Sequence, residues 1–145
     1  MIKSAQGQVH DRIRVLGNSA YPVYLVRGDE KALLVDAGIS LLGPCYLTSL
    51  TEQMGRDPHA DYLFLTHSHY DHVGAAQYLK EHICGMRVGA HPLVAKLMGK
   101  PSALQLMNRL TTNHVPQFHG SAGEDDLTVR PFAVDIPLKE GDEFD

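Results

Sequence analysis

Four side chains able to bind a metal fall within six consecutive positions, His67-Ser68-His69-Tyr70-Asp71-His72. The chain holds nine histidines among 145 residues. Random placement of its histidines and aspartates would give an H-x-H-x-D-H string in only about two or three of a thousand such chains. In an extended or tightly turned backbone, residues two apart project from the same side, so His67 and His69 can both reach one cation. Asp71 and His72 follow at once and point toward a second cation, which in two-metal hydrolases lies about 3.5–4 Å from the first. Two divalent ions are therefore expected. The mixed nitrogen and oxygen donors suit zinc, while imidazole also accepts iron and carboxylate accepts manganese. Asp71 is also placed to take a proton from a water held between the ions, a general-base role. A polar turn with Asp71 as helix cap is the competing reading, but capping accounts for only one of the four residues.

The elements around this string set where it sits. Val9 to Val15 and Tyr21 to Val26 are rich in Val, Ile, Leu and Tyr, and Gly28-Asp29-Glu30 turns into Ala32-Leu33-Leu34-Val35, which predicts an opening antiparallel meander. Asp36-Ala37-Gly38 stops that strand, and Pro44 suits the first turn of a helix with Leu47, Leu50 and Met54 on its apolar face. After Asp57-Pro58, the run Tyr62-Leu63-Phe64-Leu65 predicts a short strand buried on both faces and ending at Thr66, just before the histidines. Beyond them, Val73, Ala76, Leu79 and Ile83 predict one amphipathic helix ended by Gly85, followed by a strand from Met86 to Ala90. Pro92 and Pro101 open two more helices, with Leu104, Met107 and Leu110 on one face of the second. The apolar positions between Leu93 and Asn113 read as core rather than as a substrate lid. A loop from Asn113 to Asp126 and a strand from Leu127 to Ile136 follow. Strands alternating with helices indicate an α/β layered domain.

Other polar residues carry less. His91, before Pro92 at a strand end, reads as a helix-entry or surface histidine, with a place on the same sheet edge as the competing reading. His114 and His119 read as loop histidines that could wall the substrate side. His10, His59 and His82 sit in ordinary surface contexts. Gly99-Lys100-Pro101-Ser102 lacks the spacing of a phosphate loop, and Glu124-Asp125-Asp126 reads as a solvated acidic turn. Cys45 and Cys84 form no C-x-x-C pair and read as small core residues.

Three segments together resemble the metallo-β-lactamase superfamily, with its glyoxalase-II-like and general hydrolase branches nearest in pattern. They are Leu33-Leu34-Val35-Asp36-Ala37-Gly38, the H-x-H-x-D-H string after a hydrophobic strand, and Val73-Gly74-Ala75. The resemblance runs from about Tyr21 to Ala90. It implies an αβ/βα sandwich with metals at one edge between the sheets. It also implies His67 and His69 on the first metal, Asp71 and His72 on the second, and Asp36 close by in a supporting role. The implied activity is hydrolysis of an ester, thioester or amide-like bond by metal-activated water, with an iron-based redox variant in some relatives. Members supply a third histidine in a Gly-His-Thr-like turn, a bridging aspartate and a last histidine, none of which follows here. Residues 1–145 are therefore expected to be one domain representing roughly the first half to two thirds of such a fold. A catalytically incompetent fragment or dimerising module is the alternative.

Composition narrows the partners. Lys plus Arg number 13 against 17 for Asp plus Glu, a net charge of −4 with no basic cluster, which argues against nucleic acid. No apolar stretch approaches the ~18 residues of a membrane span, and the first residues lack a signal-peptide core. A small-molecule substrate, a cytoplasmic location and a possible homodimer are expected. In such a dimer, apolar residues of Tyr62 to Leu65 and Met86 to Val88 would be exposed by the missing half and covered by a second copy.

Overall fold

The computed structural model describes residues 7–55, 57–114, 116 and 126–144. Within these, seven strands form one sheet in the sequential order β1 to β7. The opening meander comprises β1 (Gly7–His10), β2 (Ile13–Gly17), β3 (Pro22–Arg27) and β4 (Ala32–Val35), paired antiparallel. The predicted first strand is thus two, because the chain turns at Asp11 and Arg12. Three parallel additions follow, β5 (Tyr62–Phe64), β6 (Arg87–Ala90) and β7 (Ile136–Pro137). Parallel neighbours require crossovers, and helices supply them. These are α1 (Gly43–Met54), then α2 (Tyr70–Val73) with α3 (Ala76–His82), then α4 (Pro92–Met98) with α5 (Pro101–Thr112).

Leu25, Leu34, Leu63 and Val88 are register partners across four strands, all 0–1% exposed, and they face the helices as the core row. Tyr46 and Leu50 of α1 and Leu79 of α3 complete that layer. The alternate row, Tyr24, Val35 and Phe64, is only half-buried. Phe64 lies over Gly89, where a Cβ would come within 2.6 Å of its ring, and packs against Phe144 with centroids 4.9 Å apart. This corrects two expectations. The β5 strand is buried on one face rather than both, since Tyr62 and Phe64 stay half-exposed. Leu63, Leu65, Met86 and Val88, expected on an uncovered face, are buried on the helix side.

Two further differences have local causes. The single helix predicted from Val73 to Ile83 breaks, because Gly74 N–H and Ala75 N–H donate to Gly38 and Ala37 carbonyls (2.9 and 3.3 Å) instead of to carbonyls of α2. The strand expected over Leu127 to Ile136 shrinks to β7. Residues before it are held by side chains instead: Arg130 forks onto Glu81 with two 2.7 Å bonds, and Asn108 brackets Val129 at 2.7 and 3.0 Å. Finally, α5 does not present a purely core-facing surface. Met107 is buried, but Leu106 is 47% and Leu110 36% exposed. No helix among the described residues is long and apolar enough to cross a membrane.

Candidate metal centre

Parallel strands place their C-terminal ends on one edge, where α/β folds bind ligands. Here the residues just past the strands collect at that edge: Asp36 after β4, Thr66 and His67 after β5, and His91 after β6. Asp36 is the junction. It is 6% exposed and adopts φ +62, a left-handed conformation that aspartate tolerates better than most side chains. Its N–H donates to Phe64 O at 2.8 Å. Its carboxylate accepts from Thr66 N–H (2.8 Å), Thr66 Oγ1 (2.9 and 3.0 Å) and His72 Nδ1 (2.9 Å). Ala37 N–H reaches His72 O at 2.7 Å, so the β4 end and the histidine turn are stitched at backbone level as well. Gly74 makes this approach possible, since a Cβ there would lie 2.5 Å from Ser40 N and 2.6 Å from Tyr70 O.

This network sets the imidazole tautomers. A carboxylate has no hydrogen to give, so His72 Nδ1–H is the donor toward Asp36, and of the two neutral tautomers the contact selects the one with its lone pair on Nε2. Thr66 has one hydroxyl hydrogen, spent on Asp36, so the 2.8 Å contact between Thr66 Oγ1 and His67 Nδ1 has the imidazole as donor. His67 Nε2 likewise carries the lone pair. Such a partner on the far nitrogen is the common arrangement for metal-ligating histidines. Partial desolvation, then the neighbouring His72 and His69, lower the His67 pKa below its ordinary 6.5, against the opposite pull of Asp36 and Asp71. That favours the neutral, ligating form.

The string clusters in space. The His67 ring lies 4.7 Å from that of His69 and 4.0 Å from that of His72, and His72 Nε2 is 3.9 Å from Asp71 Oδ2. His72 is therefore nearer to His67 than His69 is. His69 meets the His67 ring edge-on and His72 meets it at a tilt, and among the described residues no three His, Cys, Asp or Glu side chains converge as a closed metal cage. The donor chemistry nonetheless fits a divalent ion: imidazole nitrogens left open at Nε2 and a carboxylate on one turn. Asp71 does not cap α2; His69 occupies the N-cap position, and Asp71 stands in the first turn.

The remaining histidines divide. His91 caps α4, accepting from Leu93 N–H at 3.2 Å. His114 is held between two tyrosines, Tyr21 Oη to Nδ1 at 2.9 Å and Tyr70 Oη to Nε2 at 2.8 Å, so both of its nitrogens are engaged. It joins the end of α5 to the residue after His69. His119, Glu124 and Asp125 lie outside the described residues. Sequence reasoning passed over Thr66 and the two tyrosines; the only signal for Thr66 is its place between a buried strand and the first histidine.

Comparison with known proteins agrees with this architecture. The chain is 35% identical over 77 residues to the chicken (Gallus gallus) acyl-coenzyme A thioesterase MBLAC2, covering 50% of this chain and 27% of that protein. It is similar in structure to a Cronobacter sakazakii metallo-beta-lactamase HARLDQ motif mutant, with TM-score 0.70 and 22% identity over 99% of this chain and 50% of that one. The metallo-beta-lactamase MIM-1 from Novosphingobium pentaromativorans gives TM-score 0.67 and 22% identity over 95% of this chain and 45% of that one. The chain thus spans about half the length of these structures and about a quarter of the thioesterase. The family model described as Metallo-beta-lactamase superfamily matches residues 16–145, nearly the whole chain, and the chain belongs to that superfamily.

Proposed function

We propose that the protein is a metal-dependent hydrolase that cleaves an ester, thioester or amide-like bond, with His67, His69, Asp71 and His72 holding one or two divalent ions, zinc foremost. The observation that carries this reading is the paired tautomer control: Thr66 and Asp36 occupy the Nδ1 atoms of His67 and His72 and leave Nε2 as the donor. A bound divalent ion would supply Lewis acidity toward a carbonyl oxygen and activate water at neutral pH. Asp36 and Thr66 orient the imidazoles, and Asp71, half-buried on the same turn, is the carboxylate placed to accept a proton from attacking water. The likeness to an acyl-coenzyme A thioesterase supports an acyl-transfer chemistry in which water is the acceptor.

Metal analysis of the wild type beside the His67→Ala, His69→Ala double variant tests the assignment. Metal is expected in the wild type and absent from the variant, and equal metal in both refutes the site. Chelator-sensitive hydrolysis of a generic thioester, lost in Asp71→Asn, tests the reaction.

A second reading, a self-associating module, is favoured by the half-exposed Tyr62 and Phe64 beside Phe144, which is 43% exposed. Light scattering decides it: a concentration-dependent dimer supports it, and a monomer at all concentrations removes it.

A further inference from the structure

A cavity of about 390 Å³ opens directly beside the histidine turn, within the size range of small-molecule sites. It is lined by His69 and Tyr70 of that turn, by Leu97 of α4 and by Ala103, Leu106 and Leu110 of α5. On α5, Ala103, Leu106, Met107 and Leu110 follow i, i+3, i+4, i+7 spacing, the repeat that normally turns toward a core. Met107 does reach the core, yet Leu106 and Leu110 remain 47% and 36% exposed. Bare leucine on a regular stripe, facing a concavity, marks a surface that something apolar covers.

We propose that this cavity is the subsite for the aliphatic chain of an acyl substrate, with its carbonyl end at the His67–His72 turn; the inference rests on the hydrolase reading above. Among the described residues, the polar lining comes from Ser68, His69 and Tyr70, all on the histidine turn. The leucine wall offers no partner for an amide, a hydroxyl or a charge, so burying one there is costly, whereas a methylene chain loses nothing. The wall is also anchored to the turn it serves. His114, just past the end of α5, bonds to Tyr70 at 2.8 Å and to Tyr21 at 2.9 Å. The distance between the leucine stripe and the histidines is therefore set by a two-sided clamp rather than by a free helix end. A polar head at the imidazoles and an apolar tail along α5 match an amphiphile with a single hydrolysable carbonyl.

The test uses the full chain and a series of straight-chain carboxylates, from butanoate to dodecanoate, with calorimetry as the readout and metal content measured in each sample. In a half-open cavity, each added methylene is expected to strengthen binding about two- to fourfold until the cavity is full. Leu106→Asp should flatten the series, and Ala103→Phe should shorten the chain length at which it stops, both with unchanged circular dichroism and metal content. The His67→Ala variant, which leaves the cavity lining intact, should lose metal and keep the chain-length dependence. Metal retention with affinity independent of chain length overturns this proposal and leaves the hydrolase reading standing. Chain-length dependence in a protein that binds no metal supports the subsite and removes the hydrolase reading. A dimer that Leu106→Asp dissociates, with no carboxylate binding, also overturns the proposal and assigns the face to a second copy of the chain.

Discussion

Replacing Asp36 separates the two jobs its position performs. Its carboxylate accepts from Thr66 N–H at 2.8 Å and from His72 Nδ1 at 2.9 Å, and its backbone sits at φ +62. Thr66 Oγ1 is a third donor at 2.9 Å; hydrogen bonds to a charged partner contribute about 1.5–3 kcal/mol each, and three that share one carboxylate are not additive. Thr66 is exposed and the His72 side chain is 35% exposed, so water can replace part of what is lost. Asp36→Ala should then destabilise the fold by about 3–4 kcal/mol, of which roughly 1 kcal/mol is the left-handed backbone that Ala resists. Asp36→Gly removes the same hydrogen bonds but relieves the backbone, so it should come out about 1 kcal/mol more stable than the Ala variant. Urea denaturation of the three proteins measures this order. Both variants should also bind zinc about 10–100-fold more weakly, because His72 loses the partner that fixes its tautomer. An Ala variant within 1 kcal/mol of wild type, or a Gly variant less stable than the Ala variant, refutes the reasoning.

Gly74→Ala should cost at least about 3 kcal/mol, since its Cβ meets backbone atoms of Ser40 and Tyr70 at 2.5 and 2.6 Å, whereas Gly85→Ala at φ +77 meets nothing and should cost about 1; paired thermal melts check the contrast. Burial pushes the Asp135 carboxyl up, but bonds from Lys80 Nζ (2.7 Å) and Val88 N–H (2.8 Å) outweigh it and hold its pKa below 3.8. A depressed carboxylate contributes stability above its unfolded pKa and loses it as pH falls through the folded value. Asp135→Asn should therefore lower stability at neutral pH and flatten its decline below about pH 4, measured by urea midpoints across pH. His114→Ala should cost about 1–2 kcal/mol by releasing two tyrosine hydroxyls, and should speed hydrogen exchange in α5 more than in α1.

What lay in the sequence alone was local. The order of antiparallel meander and parallel additions follows from where apolar runs of strand length stop and where Pro44, Pro92 and Pro101 begin helices. The spacing of His67, His69, Asp71 and His72 already put four donors on one turn after a strand. What tertiary structure decided was everything that depends on a partner far along the chain. Asp36 meets Thr66 and His72 only because β4 and β5 pair in parallel register, with Val35 beside Phe64. That pairing, not the motif, engages Nδ1 of His67 and His72 with Thr66 and Asp36 and leaves Nε2 as the open ring nitrogen. The break at Gly74 and Ala75 has the same origin, since helical periodicity continues through it while Gly38 and Ala37 take its N–H groups. His114 lies 44 residues from Tyr70 and joins it through a 2.8 Å bond that no spacing announces. Periodicity reports which face of an element is apolar; whether core, cavity or a second layer covers that face is settled only when the elements pack, as Leu106 and Phe64 show.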